Sequence, residues 1–316
     1  MRLSLILALA VATLIGCTQN PISGRSQLLL YPEQSAIAES AQTYQQMVGQ
    51  LDKQGKLSHD PAIVARVRHI TDRLIDQAVR FRPETSNWAW SVRVIDDPKT
   101  VNAWCMPGGK MAVYTGLLER LHLTDDELAQ VMGHEISHAL LKHGAEKMSM
   151  QMVAGGALLA AGISGSDTKE RQTRQAVIGA GATLAFLLPN SREAEAEADR
   201  VGIELAAKAG YHPHAASTLW QKMIKENGAD SRFDWLSTHP AAPKRLDSLA
   251  ALEGRMQPFY EVAPKSGAVS RNWTSLPPNE PLPAAKKVEP APGPASVDED
   301  SSAARMEARR RKKKEQ

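Results

Sequence analysis

Two histidines four residues apart, His134 and His138, with Glu135 beside the first, stand in the stretch VMGHEISHALLKHG (131–144). On a helix, residues at this spacing share a face, so both imidazoles can present a nitrogen to one cation. Neutral imidazole suits zinc, and Glu135 is placed to take a proton from an attacking water. The chemistry such a trio serves is metal-assisted hydrolysis. A catalytic zinc needs a third protein ligand and one open position. A histidine at 144 behind a glycine at 141 would supply the ligand within the same motif, but the chain has Leu141 and Gly144. The other route is a carboxylate from a later helix, and SREAEAEAD (191–199) offers Glu193, Glu195, Glu197 and Asp199. Glu195 and Asp199 are four apart, so one can ligate while the other supports a ligand from behind. Glu193 and Glu197 are spaced the same way, and spacing alone does not choose between the pairs.

These residues need rigid elements under them. Thr124 to Glu127 has the form of a capping box, and apolar residues recur at Leu128, Val131, Met132, Ile136, Ala139 and Leu140, so the histidine motif falls mid-helix. A second helix starts around Asn190 to Glu193 and ends at Gly210, and further helices are expected from Pro213 to about Asn227 and after Pro243. Upstream, helices are expected at Glu33 to Leu51 and over residues 60–80, where Ile63, Val67, Ile70, Leu74 and Ile75 make a stripe. The period then changes: WAWSVRVID (88–96) alternates as a strand does, and KMAVY (110–114) reads as another strand after the turn Pro107-Gly108-Gly109. The fold expected is α+β, mainly α, with a small antiparallel sheet from about 88 to 115 packed on the helix of His134. Two glycine-rich apolar stretches, 152–164 and 176–189, read as helices buried in the fold or lining a cleft. His143 lies off the face shared by His134 and His138 and reads as structural, His212 and His214 as capping or surface residues, and Cys105 as a small buried hydrophobe.

The two ends of the chain have different characters. Arg2, the apolar run Leu3 to Ile15 and the ending Leu14-Ile15-Gly16-Cys17 have the shape of a secretory signal. That ending resembles the bacterial lipobox, which implies lipidation of Cys17, membrane attachment and, with Thr18 next, the periplasmic face of the outer membrane of a Gram-negative bacterium. A short tether, NPISGRSQLLL, is expected to follow. Only two cysteines exist, so a disulfide framework is excluded once Cys17 carries lipid. Beyond about Lys265 the chain turns into Pro, Ala, Lys, Ser and Asp and reads as disordered. The expected organisation is thus a signal peptide over 1–17, a folded domain over 18–264 and a tail over 265–316. Formal net charge is +3, and the cationic run Arg309 to Lys314 more than accounts for it, which argues against nucleic acid as a partner of the folded part. The sequence carries no signal for oligomeric state.

The histidine motif followed much later by S-R-x-x-E-x-E-A-D resembles the HtpX-like and CAAX-prenyl-protease-like zinc metallopeptidases (metallopeptidase family 48), in particular their soluble periplasmic lipoprotein branch without a helical-repeat module. Asn20-Pro21 to Gly24-Arg25, Asn102-Ala103-Trp104 through Gly109, Gly116-Leu117-Leu118 and Ser237-Thr238-His239-Pro240 extend the resemblance from about residue 20 to about 250. It implies a gluzincin-type fold and one zinc per chain held by His134, His138 and Glu195. Glu135 is then the catalytic carboxylate, and Asp199 stands behind a ligating histidine. It also implies that His239 lies near the metal, either filling the open position at rest or steadying the oxyanion, with Arg245 close by. Lys110, Met111, Ala112, Val113 and Tyr114 are expected to form an edge strand on which an extended peptide could add itself. The implied substrates are unfolded or misassembled envelope proteins, cut for quality control. A metal-binding, chaperone-like lipoprotein with little or gated proteolysis is the alternative.

Overall fold

The computed structural model describes residues 17–160, 190–227, 234–239 and 244–265. The chain begins with strands β1 (Cys17–Gln19) and β2 (Ser26–Leu28), followed by helices α1 (Glu33–Lys53) and α2 (Pro61–Phe81). After a 3-10 turn come β3 (Ser91–Ile95), β4 (Ala103–Met106) and β5 (Lys110–Tyr114), then the short α3 (Thr115–Arg120). Helices α4 (Asp125–Leu140) and α5 (His143–Ala160) follow. Then come α6 (Arg192–Lys208), α7 (Ala215–Asn227), α8 (Asp234–Thr238) and α9 (Arg245–Val262). The signal region 1–16, the end of the first apolar stretch, the whole of the second and the tail beyond 265 lie outside the described residues. Among the described residues no helix is long and apolar enough to cross a membrane.

Local signals account for the helix that matters most. Thr124 Oγ1 accepts the Glu127 amide while Glu127 Oε2 accepts the Thr124 amide at 2.8 Å, closing the capping box. From Glu127 to Leu140 every residue of α4 is buried. It packs against α6, α2, α7 and β4, so the histidine motif sits at the centre of the core. In α2, Asp60 accepts the amides of Ala62 and Ile63 ahead of a Pro61 that needs no donor partner, and Val67, Ile70, Leu74, Ile75 and Ala78 face inward. Gly210, at φ +86°, ends α6 with the left-handed residue that such a stop favours.

The sheet differs from the expectation in two ways. Its order is β3-β5-β4, with β3 parallel and β4 antiparallel to β5, so it is mixed rather than antiparallel. KMAVY is therefore the central strand, not an edge; β3 and β4 are the edges. Residues 103–106 carry no polar alternation because Ala103, Cys105 and Met106 are all buried, which hid β4 from a periodicity reading. The β4–β5 turn, Met106 to Gly109, closes through Gly109 N–H on Met106 O (3.1 Å) with Gly108 at φ +80°, as a proline–glycine turn of this kind requires. NPISGR is not a free tether either. It joins β1 to β2 in a hairpin that is held by Asn20 of this stretch and Gln27 of β2, both donating to the buried Leu141 carbonyl.

Lys110 is 6% exposed on the central strand, donating to Ala89 O, and burial lowers its ammonium to about 8. In the unfolded chain it keeps its proton to about 10.5, so the folded state is penalised below about 8 and the penalty disappears as pH rises through 10.5. A depression of this size is at most about 3 kcal/mol, and the lost bond to Ala89 offsets about 1. Lys110→Met is expected to raise stability by about 2 kcal/mol at pH 7, with the gain gone by pH 11. Denaturant unfolding of metal-free protein at both pH values checks this, and equal stability of the two chains at pH 7 would refute it.

Candidate metal centre

Four buried side chains from three elements converge. His134 and His138 come from α4, Glu195 from the first turns of α6, and His239 follows directly on α8; one donor atom from each lies within 4.8 Å of all the others. His134 Nε2 and His138 Nε2 are 3.0 Å apart, and His239 Nδ1 is 3.3 Å from the former. Glu195 Oε1 is 2.9 Å from His239 Nδ1 and 3.4 Å from His138 Nε2, while its Oε2 is 3.5 Å from His134 Nε2. Glu193, on the other face of α6, is exposed, so the structure separates the two carboxylate pairs that spacing left equivalent.

Behind the donors each group is held in place. Asp199 Oδ1 lies 3.0 Å from His134 Nδ1, approached obliquely. Arg245 donates to both carboxylates, Nη1 to Glu195 Oε2 at 2.9 Å and Nη2 to Asp199 Oδ1 at 2.7 Å, and stacks over Trp220. Asn190 Nδ2 donates to Glu195 Oε1 at 2.7 Å. His138 Nδ1 meets His143 Nδ1 at 2.8 Å, and His143 Nε2 meets Glu197 Oε2 at 3.0 Å. Since a carboxylate only accepts, His143 carries its proton on Nε2, so its Nδ1 accepts from His138 Nδ1–H and leaves a lone pair on His138 Nε2.

The electrostatics call for positive charge at the centre. Burial opposes protonation of His134, but the neighbouring Asp199 and Glu195 outweigh it and raise the imidazole to about 9. Burial, with His134 and His143 close by, pushes His138 well below its ordinary value against the opposing pull of Glu195. Glu195, despite a burial cost, is held far below the usual carboxylate range by His239, His134 and His138. The two imidazole nitrogens 3.0 Å apart beside an ionised carboxylate could hold a metal ion, and three imidazoles with one carboxylate are a donor set suited to zinc. Glu135 sits at the margin of this cluster, its Oε1 buried without a hydrogen bond, 3.4 Å from His239 Nε2. Burial raises its carboxyl.

A cleft of about 230 Å³ opens in front, bounded by β4 on one side and by Glu135, His138 and His239 on the other, with Met47, Tyr114 and Lys147 also on its wall. Of the expected substrate strand only Tyr114 reaches it; Lys110, Met111, Ala112 and Val113 are buried within the sheet.

The family model for "Peptidase family M48" matches residues 61–253. The chain belongs to peptidase family M48. The family is one of peptidases, and the four converging donors could hold a metal ion. Among curated M48 relatives, the mitochondrial metalloendopeptidase OMA1 of Arabidopsis thaliana is 38% identical over 55% of this chain and 34% of its own length. The human mitochondrial metalloendopeptidase OMA1 is 33% identical over 74% of this chain and 45% of its own. The β-barrel assembly-enhancing protease of Escherichia coli K12 is 26% identical over 71% and 46% respectively. The chain thus spans less than half the length of each of these relatives.

Three groups in this M48 site were not singled out by sequence. His143, read as structural, touches the back of His138; the turn at Lys142 (φ +60°) breaks the helix and swings the residue round to it. Asn190, read only as part of a helix start, reaches Glu195. Arg25, in the supposed tether, reaches Glu197. Only the last had a trace in the sequence, as part of the Asn20 to Arg25 match.

Proposed function

We propose that the chain is a zinc-dependent metalloendopeptidase of the bacterial cell envelope that cuts unfolded or misassembled envelope proteins. His134, His138 and Glu195 hold the metal, and Glu135 is the base. The observation that carries this reading is the placement of Glu135 and the converging donors against the edge strand β4 across one open cleft. When bound, zinc supplies a Lewis acid that polarises the scissile carbonyl. Glu135 takes the proton of the attacking water and passes it to the leaving amine. Asp199 keeps the His134 ring in register, and Arg245 holds Asp199 and Glu195 together.

Substrate recognition moves from β5 to β4. Asn102 O accepts Tyr114 N–H at 3.1 Å, so by the alternation of an antiparallel ladder the backbone groups of Ala103 and Cys105 turn away from β5; Ala103 N–H is taken by Asn102 Oδ1 at 2.9 Å, which leaves Cys105, on the cleft wall, as the donor an added strand would use. An extended peptide adding there is read by its backbone, which suits unfolded segments of many proteins. Cys105→Pro removes one outward N–H at an edge, where proline is tolerated. The expected result is a several-fold higher KM for an extended reporter peptide with kcat little changed; steady-state kinetics with unchanged KM would rule out this strand.

His239 makes the donor set four protein groups, the closed form of a zinc site. This favours gated activity, with His239 withdrawing before a substrate carbonyl enters. The envelope setting is supported by the signal-like start ending at Cys17, read as the lipid anchor ahead of a peptidase domain over 18–264 and a tail over 265–316. The name of the Escherichia coli relative, which ties it to β-barrel assembly, points the same way. The full chain in mild detergent should contain about one zinc and cut casein, with cutting stopped by a chelator and faster in His239→Ala. Zinc without cutting by either chain would support a chaperone-like lipoprotein, and no zinc would end the proposal.

A further inference from the structure

The β1–β2 hairpin is fastened to the back of the metal centre. Asn20 Nδ2 and Gln27 Nε2 both donate to Leu141 O, at 2.9 and 2.8 Å, meeting a carbonyl left open at the end of α4. Arg25 spans two helices: Nη1 and Nη2 grip Glu146 of α5 at 2.7 and 2.6 Å, and Nε donates to Glu197 Oε2 of α6 at 2.8 Å. That same carboxylate oxygen receives His143 Nε2–H at 3.0 Å, and His143 Nδ1 faces His138 Nδ1 at 2.8 Å. An unbroken line of directional bonds therefore runs from Arg25 through Glu197 and His143 to His138.

Each link has one proton sense. The guanidinium only donates and the carboxylate only accepts, so Glu197 fixes the proton of His143 on Nε2. His143 Nδ1 must then accept from His138. A peripheral hairpin that merely covered apolar surface would need no such alignment. The amides of Ile22 and Ser23, by contrast, close only the local turn, on Asn20 Oδ1.

We propose that Arg25 is a positioning residue for the metal site: by clamping Glu197 it sets the tautomer and ring orientation of His143, and so presents the lone pair of His138 Nε2 to the metal. The inference rests on His138 being a ligand. Metal-ligating histidines held from behind in this way lose roughly 10- to 100-fold in metal affinity when the support is removed.

The test uses the full chain in mild detergent, with zinc affinity from competition against a chromophoric chelator and the absorption of the Co²⁺-substituted protein as a readout of ligand geometry. Arg25→Ala is expected to weaken zinc binding by about 10-fold or more and to shift the cobalt bands. Arg25→Lys should fall between, since an ammonium lacks the fork that spans Glu146 and Glu197. In a His143→Phe background the route is already cut, so Arg25→Ala should add less than about twofold. Equal effects of Arg25→Ala in both backgrounds, or wild-type affinity and spectrum in Arg25→Ala, would overturn the proposal. If Arg25→Ala does not fold, Glu197→Leu removes the shared acceptor while leaving the grip on Glu146, and its wild-type affinity would be equally fatal. A His138→Ala chain that binds zinc as tightly as wild type would defeat the ligand assignment and the inference with it. Loss of zinc in His138→Ala beside a neutral Arg25→Ala would defeat the inference alone.

Discussion

Glu135→Gln is expected to lower kcat/KM on an unfolded protein substrate by about 10³-fold or more, at the upper part of the range for a lost general base, while zinc content stays at wild-type level. The amide has the volume of the carboxylate, so the buried position on α4 is still filled. Two features support the proposed role of this side chain as the base rather than a further ligand. Its Oε1 is buried at the margin of the cluster without a hydrogen-bond partner, on the wall of the cleft and 3.4 Å from His239 Nε2. Burial also raises its carboxyl, bringing the proton affinity closer to what transfer near neutral pH requires. Glutamine keeps the shape and cannot take a proton. Zinc analysis and steady-state kinetics on the same preparation decide the matter: a Glu135→Gln chain cutting within about tenfold of wild type would assign the proton transfer elsewhere. Loss of zinc along with activity would make Glu135 a ligand.

Much of this centre could be read from the sequence because helices encode it in fixed offsets. His134, Glu135 and His138 need nothing but the 3.6-residue turn to share a locale, and the capping box at Thr124 and Glu127 marks where that turn begins. The choice of Glu195 over Glu193 was not written in spacing. It follows from which face of α6 meets α4, a tertiary fact that here only the family resemblance anticipated. The sheet was harder for a different reason. Strand order is invisible to periodicity, so a strand buried on both faces, such as Lys110–Tyr114, looks the same at an edge as at the centre. The N-terminal hairpin was missed because Asn, Ser, Gly and Arg are loop residues by composition. Their role depends on carboxylates and a carbonyl more than a hundred positions away.

Gly202→Ala is expected to destabilise the metal-free chain by about 2 kcal/mol and to weaken zinc binding, with Gly202→Val worse on both counts. At the crossing of α4 and α6, Gly202 lies against Gly133. A Cβ on Gly202 would stand 2.8 Å from His134 N and 2.9 Å from its Cα, and one on Gly133 would stand 2.8 Å from Gly202 O. Every obstacle is backbone, so no side chain can swing aside and the helices must part. Overpacking of this kind costs about 3 kcal/mol at the upper end of the usual range, and the helix preference of alanine over glycine returns about 1. For a domain of this size the remainder is a fall in Tm of roughly 4–8 °C. The metal consequence is geometric: His134 follows Gly133 directly and Glu195 sits two turns before Gly202, so parting the helices draws a carboxylate donor away from two imidazole donors. Gly49→Ala and Gly254→Ala supply the contrast, since nothing lies within 4 Å of a Cβ at either helical position. Those chains should gain about 0.5–1 kcal/mol. Thermal melting in chelator followed by zinc titration separates packing from ligation. A Gly202→Ala chain that melts with wild type and holds zinc as tightly would mean that the two helices are not set at their distance by this contact. The small residues in EADRVGIEL would then have to be explained by something other than the approach of α6 to the histidine helix.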